Sequence, residues 1–273
     1  MSGMQVGGLR WEVRSRGAGT PLLLLHGFTG RGTTWGAHVA AFVREFRVIM
    51  VDLPGHGRSG IPSDPAQMSV ERSADDLAAI LQREGWSSAH VLGYSLGARV
   101  ALRLAVAHPQ AVRRLILESP SAGLVTESER RARRVADEAR AVRLERDGMA
   151  AFVDEWEREP VFASQAGFSR WRAARLRAER LRNRPAGLAA SLRGAGQGTM
   201  EPLQARLAEV TAPTLVVAGT MDLTGCARAE AVAAGIPGAR LEIVAGAGHT
   251  PHLERPSIFR SLALGFLKED HAE

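Results

Sequence analysis

Short, unbroken apolar runs alternate with longer stretches of helical periodicity along most of this chain. Residues 21–25, 46–51, 90–92, 115–117, 214–218 and 240–244 have the length and composition of buried strands. Between them, residues 69–83 place Leu77, Ile80 and Leu81 on one face behind Ser69, a residue able to cap the first turn. Residues 96–107 carry apolar side chains at helical spacing, with Arg99 and Arg103 between them. Residues 256–267 open with a proline at an early helical turn, where its missing N–H costs nothing. Wholly apolar strands alternating with helices predict an α/β fold: a mostly parallel central sheet flanked by helices on both faces.

The texture changes between residues 121 and 202. Arginines and acids dominate, no apolar strand interrupts them, and helical patterns run over 128–147, 149–157, 169–183 and 187–192. The alternation resumes at residue 203. Residues 1–120 and 203–273 therefore read as the core, and 121–202 as a helical cap inserted over the sheet. A length of 273 residues suits one sizeable domain with such an insertion.

Composition narrows the function classes. At 45% hydrophobic residues the chain can bury a full core. The net charge of +6 rests almost wholly on arginine, Lys268 being the only lysine. No nucleic-acid motif accompanies that charge and aromatics are few, so nucleic acid is not expected and an anionic small molecule suits it. Cys226 stands alone, which excludes a disulfide framework and a cysteine metal site and leaves it as a small apolar filler on a helix. Residues 1–8 lack a basic region followed by an apolar core, and no apolar run reaches membrane-spanning length. The expectation is a cytoplasmic protein without membrane insertion, metal or organic cofactor.

The chemistry concentrates at Gly93-Tyr94-Ser95-Leu96-Gly97, a G-x-S-x-G sequence between a strand and a helix. That context is what a nucleophile elbow needs: a sharp turn lifts the serine hydroxyl clear of the sheet, and glycines tolerate the crowding beside it. Asp222 and His249 each follow a strand in turn, and parallel sheets gather their sites at the carboxyl ends of strands. Histidine takes the serine proton, and a carboxylate fixes the histidine tautomer and stabilises its charged form. Glu118 also follows a strand and is the rival acid. The backbone N–H groups of Phe28, in His26-Gly27-Phe28, and of Leu96 form a candidate oxyanion hole. His26 reads as a brace for its loop, and Asp52, His56 and Arg58 as a structural turn. His38, His90 and His108 read as surface or core residues.

This pattern resembles the α/β-hydrolase superfamily over nearly the whole chain. More narrowly, residues 93–101 resemble the elbow of the 2-succinyl-6-hydroxy-2,4-cyclohexadiene-1-carboxylate (SHCHC) synthases of menaquinone biosynthesis. Further likeness lies in residues 118–124, in Glu129 and Arg130 with Arg133 and Asp137, in Trp156, and in residues 160–164. Arg180, residues 187–189 and 194–197, and Gly248-His249 with His252, Glu254 and Pro256 complete it. Ala98, where many members have glycine, and Thr250-Pro251 depart from the pattern. The resemblance implies a lyase that eliminates pyruvate from a polycarboxylate, with Tyr94, Arg99, Arg133, Arg180, Trp156 and Phe162 around the substrate. Arginine grips carboxylates through a planar two-bond fork, which makes chemical sense of the cationic cap. Arg130 shares a helix face with Arg133, and Arg131, Arg134, Arg177 and Arg182 are close enough in register to substitute for the clamps. Arg134 and Glu138 have the spacing of a solvated ion pair. Trp156 and Phe162 suit cap packing as well as a pocket wall. The triad alone does not separate this lyase from a serine carboxylesterase or a C–C bond hydrolase. A non-catalytic binding protein on the same fold is the other rival, although such proteins often lack a triad member and this chain keeps all three.

Overall fold

The structure is a computed structural model that describes residues 2–269. Its strands are β1 (Ser2–Val6), β2 (Leu9–Arg16), β3 (Pro21–Leu25), β4 (Arg47–Asp52), β5 (Ala89–Tyr94), β6 (Val112–Glu118), β7 (Thr214–Gly219) and β8 (Arg240–Val244). They form one sheet in the order β1-β2-β4-β3-β5-β6-β7-β8. From β4 to β8 every pairing is parallel, whereas β1–β2 and β2–β4 are antiparallel. The α/β-hydrolase expectation is met, with an antiparallel edge that the apolar-run reading missed. β2 alternates polar with apolar residues instead of running apolar, and the hairpin before it turns on Gly7 and Gly8, both at positive φ.

Helices α1 (Gly36–Phe42), α2 (Val70–Arg83), α3 (Leu96–Ala107), α4 (Glu127–Trp156), α5 (Arg170–Leu181), α6 (Pro185–Ala195), α7 (Leu223–Gly235), α8 (Pro251–Glu254) and α9 (Pro256–Lys268) complete the chain order. The sheet separates two apolar layers, as strand alternation requires. Leu23 and Leu25 of β3 pack with α2, α3 and α7, while Leu22 and Leu24 pack with Trp35, Val39 and Phe42 around α1 and with Phe259 and Phe266 of α9. All four leucines are fully buried, a contribution of about 1.5–3 kcal/mol each, so this run holds a central strand.

The segment between β6 and β7 carries α4, α5 and α6. α4 begins one residue earlier than its periodicity indicates, because Thr126 and Glu129 form a capping box. It breaks at Gly148 (φ 79°, ψ 179°), between the two helical patterns read from the sequence. A 3-10 helix at Pro160–Gly167 went unpredicted. Ala141, Leu144, Phe152 and Val153 of α4 pack on Leu188, Ala189 and Leu192 of α6, and Phe28 and Trp156 border this third cluster. The segment thus meets the core at the carboxyl edge of the sheet, directly above the β3 and β5 termini.

Candidate active site

β5 ends at Tyr94, α3 begins at Leu96, and Ser95 alone makes the turn, at φ 52° and ψ −106°. This backbone is strained for a residue with a Cβ, and such strain persists only where the surroundings dictate it. Here the Ser95 N–H donates to the Glu118 carbonyl at 2.9 Å. A Cβ on Gly93 would strike the Gly97 backbone, and one on Gly97 would strike Leu25, so both positions need glycine for close approach. Thr29 (φ 66°) and Ser119 (φ 49°) share the left-handed conformation, just beyond β3 and β6. Strained turns therefore follow three neighbouring strands around one depression.

His249 joins the elbow to α7. Its Nε2 lies 3.1 Å from Ser95 Oγ and its Nδ1 lies 2.6 Å from Asp222 Oδ2. Asp222 also caps α7, with Oδ1 accepting from the Gly225 N–H at 2.8 Å. Burial pushes the Asp222 carboxyl up, but the hydrogen bond and charge of His249, the Gly225 N–H and the Arg228 charge outweigh it and hold the group below the usual carboxylate range. Ser119 Oγ donates to the His249 carbonyl at 2.9 Å. Glu118, the rival acid, accepts from the backbone N–H and Nδ1 of His252 at 2.8 and 2.9 Å and makes no bond to His249. Tyr94 stands with its ring 5.5 Å from that of His249. Burial, then the Glu118 charge, push its hydroxyl well above the usual phenol range, so it stays protonated.

Ser95 opens into a cavity of about 250 Å³. Phe28, Tyr94, Leu96, Arg99, Arg133, Trp156, Phe162 and His249 all line it. Leu96 is the first residue of α3, so its N–H has no acceptor within the helix. Trp156 packs edge-on against Phe28 at 5.3 Å and tilted against Phe162 at 5.4 Å, so these aromatics pack against one another and wall the cavity at once.

The arginines divide. Arg99 is buried, its guanidinium donating to the Ala195 carbonyl at 2.8 Å. Burial, helped by the Arg133 charge, lowers it to about 10, so it remains charged at neutral pH. Arg133 Nε reaches both Asp137 oxygens at 2.9 Å. Arg180 departs from expectation. It lines a separate small cavity behind Phe162, with its guanidinium bonded to Glu157 at 2.9 Å and 5.2 Å from the Phe162 ring. A neighbouring carboxylate and an aromatic face hold it there, and spacing along α5 gave no sign of either. Arg130 turns back to Glu127 and to the Leu124 and Val125 carbonyls, away from Arg133. Arg134 pairs with Glu127 at 2.5 Å, and Glu138 pairs with Arg193 instead.

Two further arginines line the cavity unannounced. Arg140 lies 5.3 Å over the Trp156 ring and pairs with Glu159, also a wall residue. Its signal was present: it follows Arg133 by seven residues, two turns along one helix face. Arg228 comes from α7, six residues after Asp222, and no pattern marks it.

The remaining histidines support the scaffold. His26 Nε2 accepts from the Leu53 N–H at 2.9 Å and Nδ1 donates to the Gly27 carbonyl at 2.8 Å, which fixes the Phe28 loop. Asp52 accepts from the N–H groups of Gly32 and Arg58, and His56 is buried beside His26. His38 and His90 are buried, and His108 pairs with Asp75 at 2.7 Å. Cys226 sits partly buried on α7 against the core. Among the described residues, no group of three His, Cys, Asp or Glu side chains could hold a metal ion, and no helix is long and apolar enough to cross a membrane.

Known proteins share this architecture. The family described as alpha/beta hydrolase fold matches residues 20–256. A Bacillus subtilis (strain 168) protein named as a candidate 2-succinyl-6-hydroxy-2,4-cyclohexadiene-1-carboxylate synthase is 37% identical over 95% of each chain. The enzyme of that name from Pectobacterium atrosepticum is 33% identical over 90% of this chain and 93% of its own. The structure of MenH from S. aureus superposes with a TM-score of 0.89 at 35% identity, covering 94% of this chain and 97% of that one.

Proposed function

The chain belongs to the α/β-hydrolase fold family and, within it, to the 2-succinyl-6-hydroxy-2,4-cyclohexadiene-1-carboxylate synthases, and on that premise we propose how its residues carry out pyruvate elimination. The substrate is the corresponding enolpyruvyl cyclohexene, which bears a succinyl ketone and several carboxylates. The enzyme is a lyase, and it consumes no water.

Ser95 is the base. His249, oriented by Asp222, draws the hydroxyl proton, and the serine oxygen removes the ring proton next to the ketone. The electron pair of that C–H bond moves into an enolate whose oxygen is held by the Phe28 and Leu96 N–H groups. Loss of one such donor typically costs about 3–4 kcal/mol of barrier. The enolate then collapses to the diene and breaks the ring C–O bond. The departing enolpyruvyl oxygen takes the proton stored on His249, and the product leaves as the enol of pyruvate, which tautomerises to pyruvate.

One observation carries this reading: a hydrogen-bonded serine, histidine and aspartate lie at the floor of a cavity with guanidiniums in its wall. Charge-assisted bonds to carboxylates contribute about 1.5–3 kcal/mol each, enough to hold a polyanion against water. Arg99 and Arg133 are the proposed clamps, with Tyr94, Trp156 and Phe162 packing the ring. Arg180 acts one layer back, by fixing Phe162. A side-by-side assay tests the function: the protein should turn over the enolpyruvyl polyacid and leave simple acyl esters nearly untouched. Rapid ester hydrolysis with an inert polyacid identifies a hydrolase instead.

A further inference from the structure

Four arginines line the cavity, and their charges are not equally available. Arg133 faces Asp137 and Arg140 faces Glu159, so two of the four already have carboxylate partners. Arg99 has no carboxylate bond, but it is buried and its guanidinium is bonded to the Ala195 carbonyl. Arg228 differs from all three. It is exposed, it lines the same cavity, and among the described residues it makes no hydrogen bond or ion pair. It stands on α7, six residues after Asp222, and its charge reaches both Asp222 and Arg99. Two guanidiniums without a carboxylate partner thus face the cavity, one at its buried side and one at its solvent side.

A substrate that splits in two gives this difference a use. The part that stays can be gripped deep in the cavity, whereas the part that leaves needs an exit to solvent. We infer that Arg228 binds the carboxylate of the leaving enolpyruvyl arm at the cavity mouth, while Arg99 holds a carboxylate that remains on the ring. This rests on the lyase reading above. Arg228 is a substrate-binding residue here and transfers no proton. A bidentate contact made equally in the ground and transition states lowers KM and leaves kcat alone.

Steady-state kinetics of Arg228→Gln and Arg228→Lys on the enolpyruvyl substrate, with inhibition by each product, tests the assignment. Arg228→Gln should raise KM ten- to a hundredfold with kcat within about threefold, and Arg228→Lys should recover part of the loss by restoring charge without the planar fork. The inhibition constant of pyruvate should rise at least tenfold in Arg228→Gln, and that of the diene product should stay within about twofold. An unchanged KM overturns the assignment. An equal rise in both inhibition constants overturns the placement on the leaving arm. If the unsubstituted protein releases no pyruvate at all, the lyase reading fails first and this inference with it.

Discussion

Ser95 Oγ and His249 Nε2 lie 3.1 Å apart although 154 residues separate them, and the contact exists because β5 and the loop after β8 end on the same edge of one sheet. The elbow backbone dictates where the hydroxyl points, and the bond to Asp222 dictates which imidazole nitrogen faces it. Ser95→Ala removes the base and nothing that grips carboxylates. It should lower kcat by at least about a thousandfold, while a titration with the diene product, followed by intrinsic tryptophan fluorescence, should give a Kd within a few-fold of the unsubstituted protein. Loss of binding in parallel with kcat would show that the hydroxyl serves affinity instead.

Two buried acids, Asp222 just after β7 and Glu118 at the end of β6, lie at strand ends, and only Asp222 touches His249. Asp222→Asn keeps the shape but favours the wrong tautomer, so kcat should fall by about 10³–10⁴. Glu118→Gln retains an acceptor for both His252 bonds and should change kcat by less than about tenfold. Measuring the two variants side by side checks the assignment, which an inverted order of severity would refute.

Three buried histidines make stability depend on pH. Burial above all lowers His26 to about 4, and His38 and His56 to about 3. The unfolded chain titrates these rings near about 6.5, so below that pH it binds protons that the folded chain refuses. The stabilisation is therefore complete above about pH 7 and declines as pH falls through about 6.5 towards 4. With all three rings engaged, the slope approaches about 4 kcal/mol per pH unit. Asp76 and Asp137, pushed up chiefly by burial, oppose this only once the carboxylate range is reached. Urea midpoints at pH 7.5, 6.5 and 5.5 should drop steadily. A flat profile would mean that the rings are not held neutral.

The sequence carried the parts of this architecture that depend on local pattern. α3 spans residues 96–107 and β8 spans 240–244, as their apolar spacing indicates, and the strand–turn–helix context of Ser95 is visible without coordinates. What escaped depends on distant partners. β2 hides because a half-buried antiparallel strand alternates instead of running apolar. Arg134 and Glu138 have ideal helical spacing, yet each finds a better partner, Glu127 for one and Arg193 for the other. The arginines between residues 121 and 202 show the same limit most clearly. Arg133 and Arg180 look alike in sequence, but one reaches the cavity over Ser95 and the other is drawn behind Phe162 by Glu157.

The central claim is that Ser95 serves as a proton-abstracting base in an elimination. The most direct measurement follows pyruvate and the diene absorbance together after mixing the protein with the enolpyruvyl substrate. The account predicts that the two appear at equal rates and in equal amounts, and that both vanish in Ser95→Ala. Intact substrate after prolonged incubation, or pyruvate without the diene, would contradict it.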